Sequence, residues 1–357
     1  MKKTLIINPF GIGDILFTTP LIREIKRQYP DSFLGYWCNE RVKDILTANP
    51  HIGKVFGLSR GDIKRISRRS RLEGIGCFFG LLSALKKEKF EIALDFSLGH
   101  RYGLMAKLAG IKRRIGFNYK NRGRFLTDKI DIDGYSSRHV VEYYLDLLHF
   151  LGIIPQSRDL ELFIPAQEKL KAQKLFADLS IKEGDLVIGI APGGGASWGR
   201  DAVRKHWPAQ NFAQLADRLI RGLGAKVLIL GDSEEKTIAA RIGEVTAGRA
   251  IDLSGRTNLA ELAAVIERLN LLIANDGGPL HMAAALGKKT LSFFGPVDPA
   301  VYGPYPPDEK RHIILRRVVD CSPCYVKFRL AQCYNDKECL NGISVDDAVD
   351  RVSKMNQ

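Results

Sequence analysis

Long uncharged apolar runs are missing from this 357-residue chain, so no stretch has the length of a membrane span. The apolar part of the basic stretch Met1–Asn8 is too short for a secretory signal, and a first strand of a cytoplasmic protein is expected there instead. Short-period repeats, low-complexity tracts and heptads are absent too, which excludes solenoids, disordered arrays and coiled coils. Recognition-helix, RNP and zinc-finger patterns are lacking. Gly11-Ile12-Gly13 is no dinucleotide fingerprint, because Leu16 stands where the third glycine belongs, and no Gly-Lys-Ser/Thr follows to make a phosphate loop. Acidic residues are the scarcer charge: 40 Asp and Glu against 54 Lys and Arg leave a net charge of +14. That balance favours an anionic partner such as nucleic acid, an anionic membrane or a phosphorylated substrate; a generally basic surface is the plain alternative.

What is present is an alternation of short apolar runs and helix-patterned segments. Thr4–Asn8, Phe33–Trp37, Lys54–Leu58 and Ile92–Phe96 read as strands. Ile15–Gln28, Arg41–Leu46, Tyr102–Ala109 and His139–Leu151 read as helices between and after them. A proline-marked linker at 154–165 separates a second set. Its strands are Leu186–Ala191, Lys226–Leu230, Ala250–Leu253, Leu271–Ala274 and Thr290–Phe294. Its helices are Pro208–Arg221, Glu234–Glu244, Leu259–Arg268 and Leu280–Leu286. Two βα sets of this size predict an α/β protein of two Rossmann-like, doubly wound domains facing each other across a cleft. The expected domains are 1–160 and 161–335, with 336–357 returning toward the first.

Four strand-end turns carry the candidate chemistry. Gly11-Ile12-Gly13-Asp14 presents one carboxylate after the first strand, as a base or as a helix cap. Pro192-Gly193-Gly194-Gly195 leads to Lys205 just before a helix. Backbone N–H groups and an ammonium suit a phosphate there, where the alternative is a plain surface loop. Gly231-Asp232-Ser233-Glu234-Glu235 offers a carboxylate for ribose hydroxyls, or only a first-turn helix acid. Asn275-Asp276-Gly277-Gly278-Pro279-Leu280-His281 joins a buried strand to a helix, with Asp276 as ligand group or cap. Asp131-Ile132-Asp133 has a metal-binding form but alternates like an edge strand, and it is set aside. Cys321, Cys324, Cys333 and Cys339 are close enough in sequence for a structural zinc or a redox-sensitive staple, although their spacing departs from zinc ribbons. The lone Cys38 and Cys77 read as buried apolar fillers.

Taken together, Gly13-Asp14, Lys205-His206-Trp207-Pro208, Asn275–His281 and Phe294-Gly295-Pro296-Val297-Asp298-Pro299 resemble glycosyltransferase family 9, the ADP-heptose:lipopolysaccharide heptosyltransferases. The resemblance spans nearly the whole chain. It implies a GT-B fold with the acceptor on the first domain and the nucleotide-sugar on the second. It also implies inverting transfer that needs no cofactor or catalytic metal. Asp14 would then be the general base, with Gly13, Arg60 and Arg101 toward the acceptor. Gly194, Gly195, Lys205, Asp276, Gly277, Gly278 and His281 would line the donor site, with Glu235 and Thr257 near the ribose and base. Two departures stand out: Gly194-Gly195 where some members have Thr-Thr, and the additional residues Trp198–Arg204 before Lys205.

The expected function is transfer of a heptose-type sugar from an ADP-sugar to a lipid-linked, lipopolysaccharide-core-type acceptor at the inner membrane face, without nucleic acid. Arg60, Lys64, Arg65, Arg68, Arg69 and Arg71, followed by Phe78-Phe79, also predict peripheral contact with anionic membrane. The same run could instead be an acceptor-phosphate site or a solvated helix. Rival readings are another nucleotide-sugar donor, an epimerase of the same architecture, which would consume donor without acceptor, and a nucleic-acid binder.

Overall fold

The computed structural model describes residues 3–194 and 196–355. The chain divides into two compact units, Met1–Asp159 and Leu160–Gln357.

In the first unit, β1 (Lys3–Asn8) leads through α1 (Ile12–Leu16) and α2 (Thr19–Gln28) to β2 (Phe33–Cys38), and α3 (Asp44–Thr47) precedes β3 (Lys54–Gly57). A helical pair, α4 (Arg60–Arg69) and α5 (Arg71–Glu88), crosses back to β4 (Ile92–Asp95). Then α6 (His100–Leu108), β5 (Arg113–Tyr119), β6 (Asp128–Ile132) and α7 (Val140–Asp146) complete the unit. All strand pairs are parallel, in the order β3-β2-β1-β4-β5-β6. The strand order reverses between β1 and β4, and ligands of such sheets bind at the carboxyl ends beside that reversal.

In the second unit, α8 (Ala166–Asp178) precedes β7 (Val187–Ala191), α9 (Ala209–Leu223), β8 (Lys226–Ile229), α10 (Lys236–Val245) and β9 (Ile251–Asp252). After α11 (Leu259–Glu267) come β10 (Leu271–Asn275), α12 (Gly278–Ala285), β11 (Lys289–Phe293), α13 (Pro299–Tyr302) and β12 (His312–Leu315). A small antiparallel pair, β13 (Tyr325–Val326) and β14 (Arg329–Leu330), is followed by α14 (Glu338–Asn341) and α15 (Val345–Met355). The parallel sheet has the order β12-β11-β10-β7-β8-β9, so its reversal lies between β7 and β10.

Central strands such as β7 and β10 are buried at every residue, which is why they read as unbroken apolar runs. α9 lays Phe212, Leu215 and Leu219 on the second sheet at helical spacing, around a stack of Trp207 on Phe293 at 4.1 Å.

Several expectations need correction. The single helix expected over Ile15–Gln28 is broken at Phe17-Thr18. Pro20 has no N–H to give to the Leu16 carbonyl, which instead accepts the Thr19 hydroxyl at 2.7 Å. His139–Leu151 starts as an α-helix but tightens into a 3₁₀ turn at Leu147, ending at Gly152 with φ of +67°. The segment 336–357, expected to return toward the first domain, contributes to the core of the second unit. Leu340, Ile343, Ala348, Val352 and Met355 belong to the second unit's core, and the Trp207 indole donates to the Ile343 carbonyl at 3.0 Å. Asp131 lies on the edge strand β6 and accepts from the Asn118 amide at 2.6 Å. Among the described residues, no helix is long and apolar enough to cross a membrane.

Candidate active site

In the second unit, the loops leaving β7 and β10 meet where the strand order reverses. Asn275, at the end of β10, stitches them together. Its amide donates to the carbonyls of Pro192 at 2.6 Å and Gly193 at 3.2 Å, and its side-chain oxygen accepts the Trp207 N–H at 3.0 Å. Gly194 adopts φ of +119° with its α-carbon facing the Asp276 carbonyl, a conformation and an approach that a side chain would strain. His206 contacts the Gly194 carbonyl through Nε2 at 2.8 Å. Gly195, expected in the same turn, lies outside the described residues.

These contacts bring Lys205 to Asp276, 71 positions apart in sequence, with Nζ and Oδ2 at 2.6 Å. Both side chains are nearly buried, at 10% and 7% exposure. The ammonium also sits 4.0 Å from the centre of the Trp198 ring. Burying an ammonium with its carboxylate carries a desolvation cost that their attraction only partly offsets. Glycines stand next to the pair, Gly277 and Gly278 after Asp276 and Gly194 against the Asp276 carbonyl. His281 lies beyond Asp276, with Nε2 3.9 Å from the other carboxylate oxygen. Burial pushes its imidazole down to about 4, so the ring is neutral near pH 7 despite the nearby carboxylate. Gly277 and Gly278 open α12 with Pro279 in its first turn, leaving backbone N–H groups at the helix start.

Glu235 closes this group on one flank. Its carboxylate is packed so tightly on Gly193 that a Cβ there would overlap it, and it accepts the Asp232 N–H at 2.6 Å. Burial pushes its carboxyl up to about 7. Thr257 lies in the neighbouring loop, where the Gly255 N–H donates to the Gly231 carbonyl at 2.9 Å. Thus Gly194, Lys205, Asp276, Gly277, Gly278, His281 and Glu235 gather at one sheet end, with Thr257 adjacent.

In the first unit, Gly13 and Asp14 lie in α1, directly after β1. The Asp14 carboxylate accepts the Gly11 N–H at 3.3 Å through Oδ2 and faces the Tyr144 hydroxyl at 3.4 Å through Oδ1. The residue is partly exposed, so it folds back on the turn and still reaches solvent. Arg60 begins α4, and its side chain lies outside the described residues; Arg101 is exposed in the first turn of α6.

Asp95 is a feature the sequence reading passed over. It ends β4, next to β1, and its carboxylate accepts the Ser97 N–H at 2.8 Å beside a void of about 10 Å³ that His100 and Arg122 also line. Burial pushes its carboxyl up to about 6. An acid ending an otherwise apolar strand was the available signal.

The six cysteines are free. Cys324 and Cys339 are raised by burial and by neighbouring thiols, including Cys321 and Cys333, so the four are neighbours. As placed, no three His, Cys, Asp or Glu groups among the described residues stand in metal-holding geometry. Cys38 is a buried filler as expected, whereas Cys77 is only partly buried.

Comparison with known proteins bears on this arrangement. A family model for glycosyltransferase family 9 (heptosyltransferase) matches residues 79–335. Lipooligosaccharide heptosyltransferase 2 of Haemophilus ducreyi is 26% identical over 374 residues, covering 99% of either chain. The solved structure of a family 9 glycosyl transferase from Veillonella parvula superposes with a TM-score of 0.81 at 23% identity, covering 99% of this chain and 97% of that one. The Escherichia coli ADP-heptose LPS heptosyltransferase II gives 0.76 at 21%, covering 99% and 98%. The two doubly wound units are therefore those of an α/β GT-B fold, and the chain belongs to glycosyltransferase family 9 and is a glycosyltransferase.

Proposed function

We propose that the protein transfers a heptose-type sugar from ADP-heptose to a lipopolysaccharide-core-type acceptor at the cytoplasmic membrane face, with inversion and without a catalytic metal. The single observation that carries this reading is the Lys205–Asp276 pair set among glycines at the reversal of the second sheet. An ammonium held by a carboxylate and flanked by helix-start N–H groups suits a diphosphate whose charge grows as the sugar departs. The Haemophilus ducreyi relative, a lipooligosaccharide heptosyltransferase, supports the sugar and the acceptor class, and the Escherichia coli neighbour, an ADP-heptose LPS heptosyltransferase, agrees with the donor.

In the proposed reaction, an acceptor hydroxyl bound by the first unit attacks the anomeric carbon while Asp14 takes its proton. The bond from that carbon to the diphosphate breaks, and ADP leaves with its charge met by Lys205 and the start of α12. Neutral His281 adds a hydrogen-bonding group that places no competing positive charge beside the lysine. Glu235 would meet the ribose hydroxyls. A zinc ion on Cys321, Cys324, Cys333 and Cys339 would be structural, would need the thiols to draw together, and takes no part in the transfer.

Transfer assays with ADP-, UDP-, GDP- and dTDP-sugars in the presence of chelator test the reading. ADP-heptose should be the productive donor and ADP the strongest thermal stabiliser. Preference for UDP, or loss of activity with chelator, overturns the assignment, and donor consumption without acceptor points to epimerisation.

A further inference from the structure

The α4–α5 pair has a surface that the transfer chemistry leaves unused. Ser59 and Asp62 cap α4, Ser70 caps α5, and Gly74 rests so closely on Ser67 that the two helices touch there. α5 reaches the core from Phe78 onward, mainly through Leu81, Leu82 and Leu85. The first half leaves Leu72 82% exposed, Ile75 54% and Phe79 61%. Their spacing of three and four residues puts them on one stripe of the helix, with Gly76 open beside them. A stripe of three large apolar side chains turned to water indicates a surface made to be covered.

Charge decides what covers it. The segment 59–89 holds nine Lys and Arg against three acids. Two of those acids are engaged: Asp62 by Arg65, and Glu88 by Lys3 and Lys54. Lys64, Arg68, Arg69, Arg71, Lys86 and Lys87 are exposed around the stripe. A second copy would bring two such basic rims together, whereas an anionic bilayer offers both an apolar layer and opposite charge.

We propose that the α4–α5 pair docks the protein on anionic lipid, with Leu72, Ile75 and Phe79 entering the acyl boundary and the basic rim meeting the headgroups. Its purpose rests on the lipid-linked acceptor reading, but its test does not.

Flotation of the full chain with phosphatidylcholine vesicles, with and without phosphatidylglycerol, measures docking in the absence of donor and acceptor. Binding is expected only with the anionic lipid. R68Q/R69Q/R71Q should lower the partition coefficient roughly 100-fold, about fivefold per charge, which is the conversion of about 1 kcal/mol per Lys or Arg near the surface. L72S/I75S/F79S should abolish retention at physiological salt while leaving Tm and the ADP-induced thermal shift unchanged. Equal binding to neutral and anionic vesicles, or to neither, overturns the proposal. So does a concentration-dependent dimer that the serine variant dissolves, since the stripe would then be a protein interface. Vesicle binding in a protein that ignores ADP leaves docking intact and sinks only the donor reading.

Discussion

Lys205 and Asp276 allow a perturbation whose size follows from the structure. At 2.6 Å and an effective dielectric of about 20, their gross attraction is roughly 6 kcal/mol. Desolvation offsets much of it, and removing one partner strands the other as a nearly buried charge, at about 3–5 kcal/mol. Lys205→Met and Asp276→Asn should each fall within that range, because both side chains are nearly buried. The double variant should cost clearly less than the two singles combined, with a coupling of about 2 kcal/mol within the range for contacting residues. Urea unfolding of the four proteins measures this.

ADP affinity of the same four proteins tests the role. Loss of a charged hydrogen bond of about 1.5–3 kcal/mol predicts that Lys205→Met binds ADP roughly 10- to 150-fold more weakly. Asp276→Asn should weaken binding less, because the ammonium remains but is no longer held at the turn. In the Lys205→Met background it should change affinity no further. Wild-type affinity in Lys205→Met would refute the diphosphate role. An equal loss from Asp276→Asn in both backgrounds would show that Asp276 meets the ligand itself.

Asp14→Asn keeps the bond from the Gly11 N–H and removes the basicity, so turnover should fall by at least ~10² while ADP affinity and Tm stay near wild type; near-normal turnover reduces Asp14 to a cap. In the folded protein Asp95 keeps its proton up to about pH 6, whereas unfolded aspartate releases it near 3.9. Asp95 therefore contributes stability at low pH that is lost as pH rises through that window. Asp95→Asn should exceed wild type by up to roughly 3 kcal/mol at about pH 7.5 and much less at about pH 4.5, read from urea midpoints at the two pH values, and an equal difference at both excludes this account. For Cys321, Cys324, Cys333 and Cys339, elemental analysis of protein never exposed to chelator should find about one zinc per chain; its absence leaves them as thiols.

Much of the fold was legible because a parallel sheet covered on both faces needs continuous apolar strands, and β1, β7 and β10 have them. The edges were less so. β12 has only its first residue buried and α8 has few buried residues, so neither carries a strong periodic signal. Pro20 was a visible mark of the α1–α2 break, but the apolar spacing on both sides concealed it. The candidate site was legible as separate turns, since glycine next to a strand end is a local signal. The Lys205–Asp276 ion pair and the burial of Asp95 arise from tertiary packing, which no local pattern encodes.

The departures around the phosphate turn also gain a physical meaning. Trp198–Arg204 does not push Lys205 out of the site. It forms tight 3₁₀ turns with a kink at Gly199, φ of +59°, that lay Trp198 across the ammonium and against Tyr325 at 4.8 Å. Lys205 thus has both an aromatic face and a carboxylate against its ammonium. Gly194 itself offers an anion its backbone and no side chain. An ammonium shielded from water by an indole would act on a bound anion through a lower local dielectric, which strengthens the attraction of a single cation. The segment Trp198–Arg204 therefore bears on the glycine turn through Trp198, the side chain that covers Lys205.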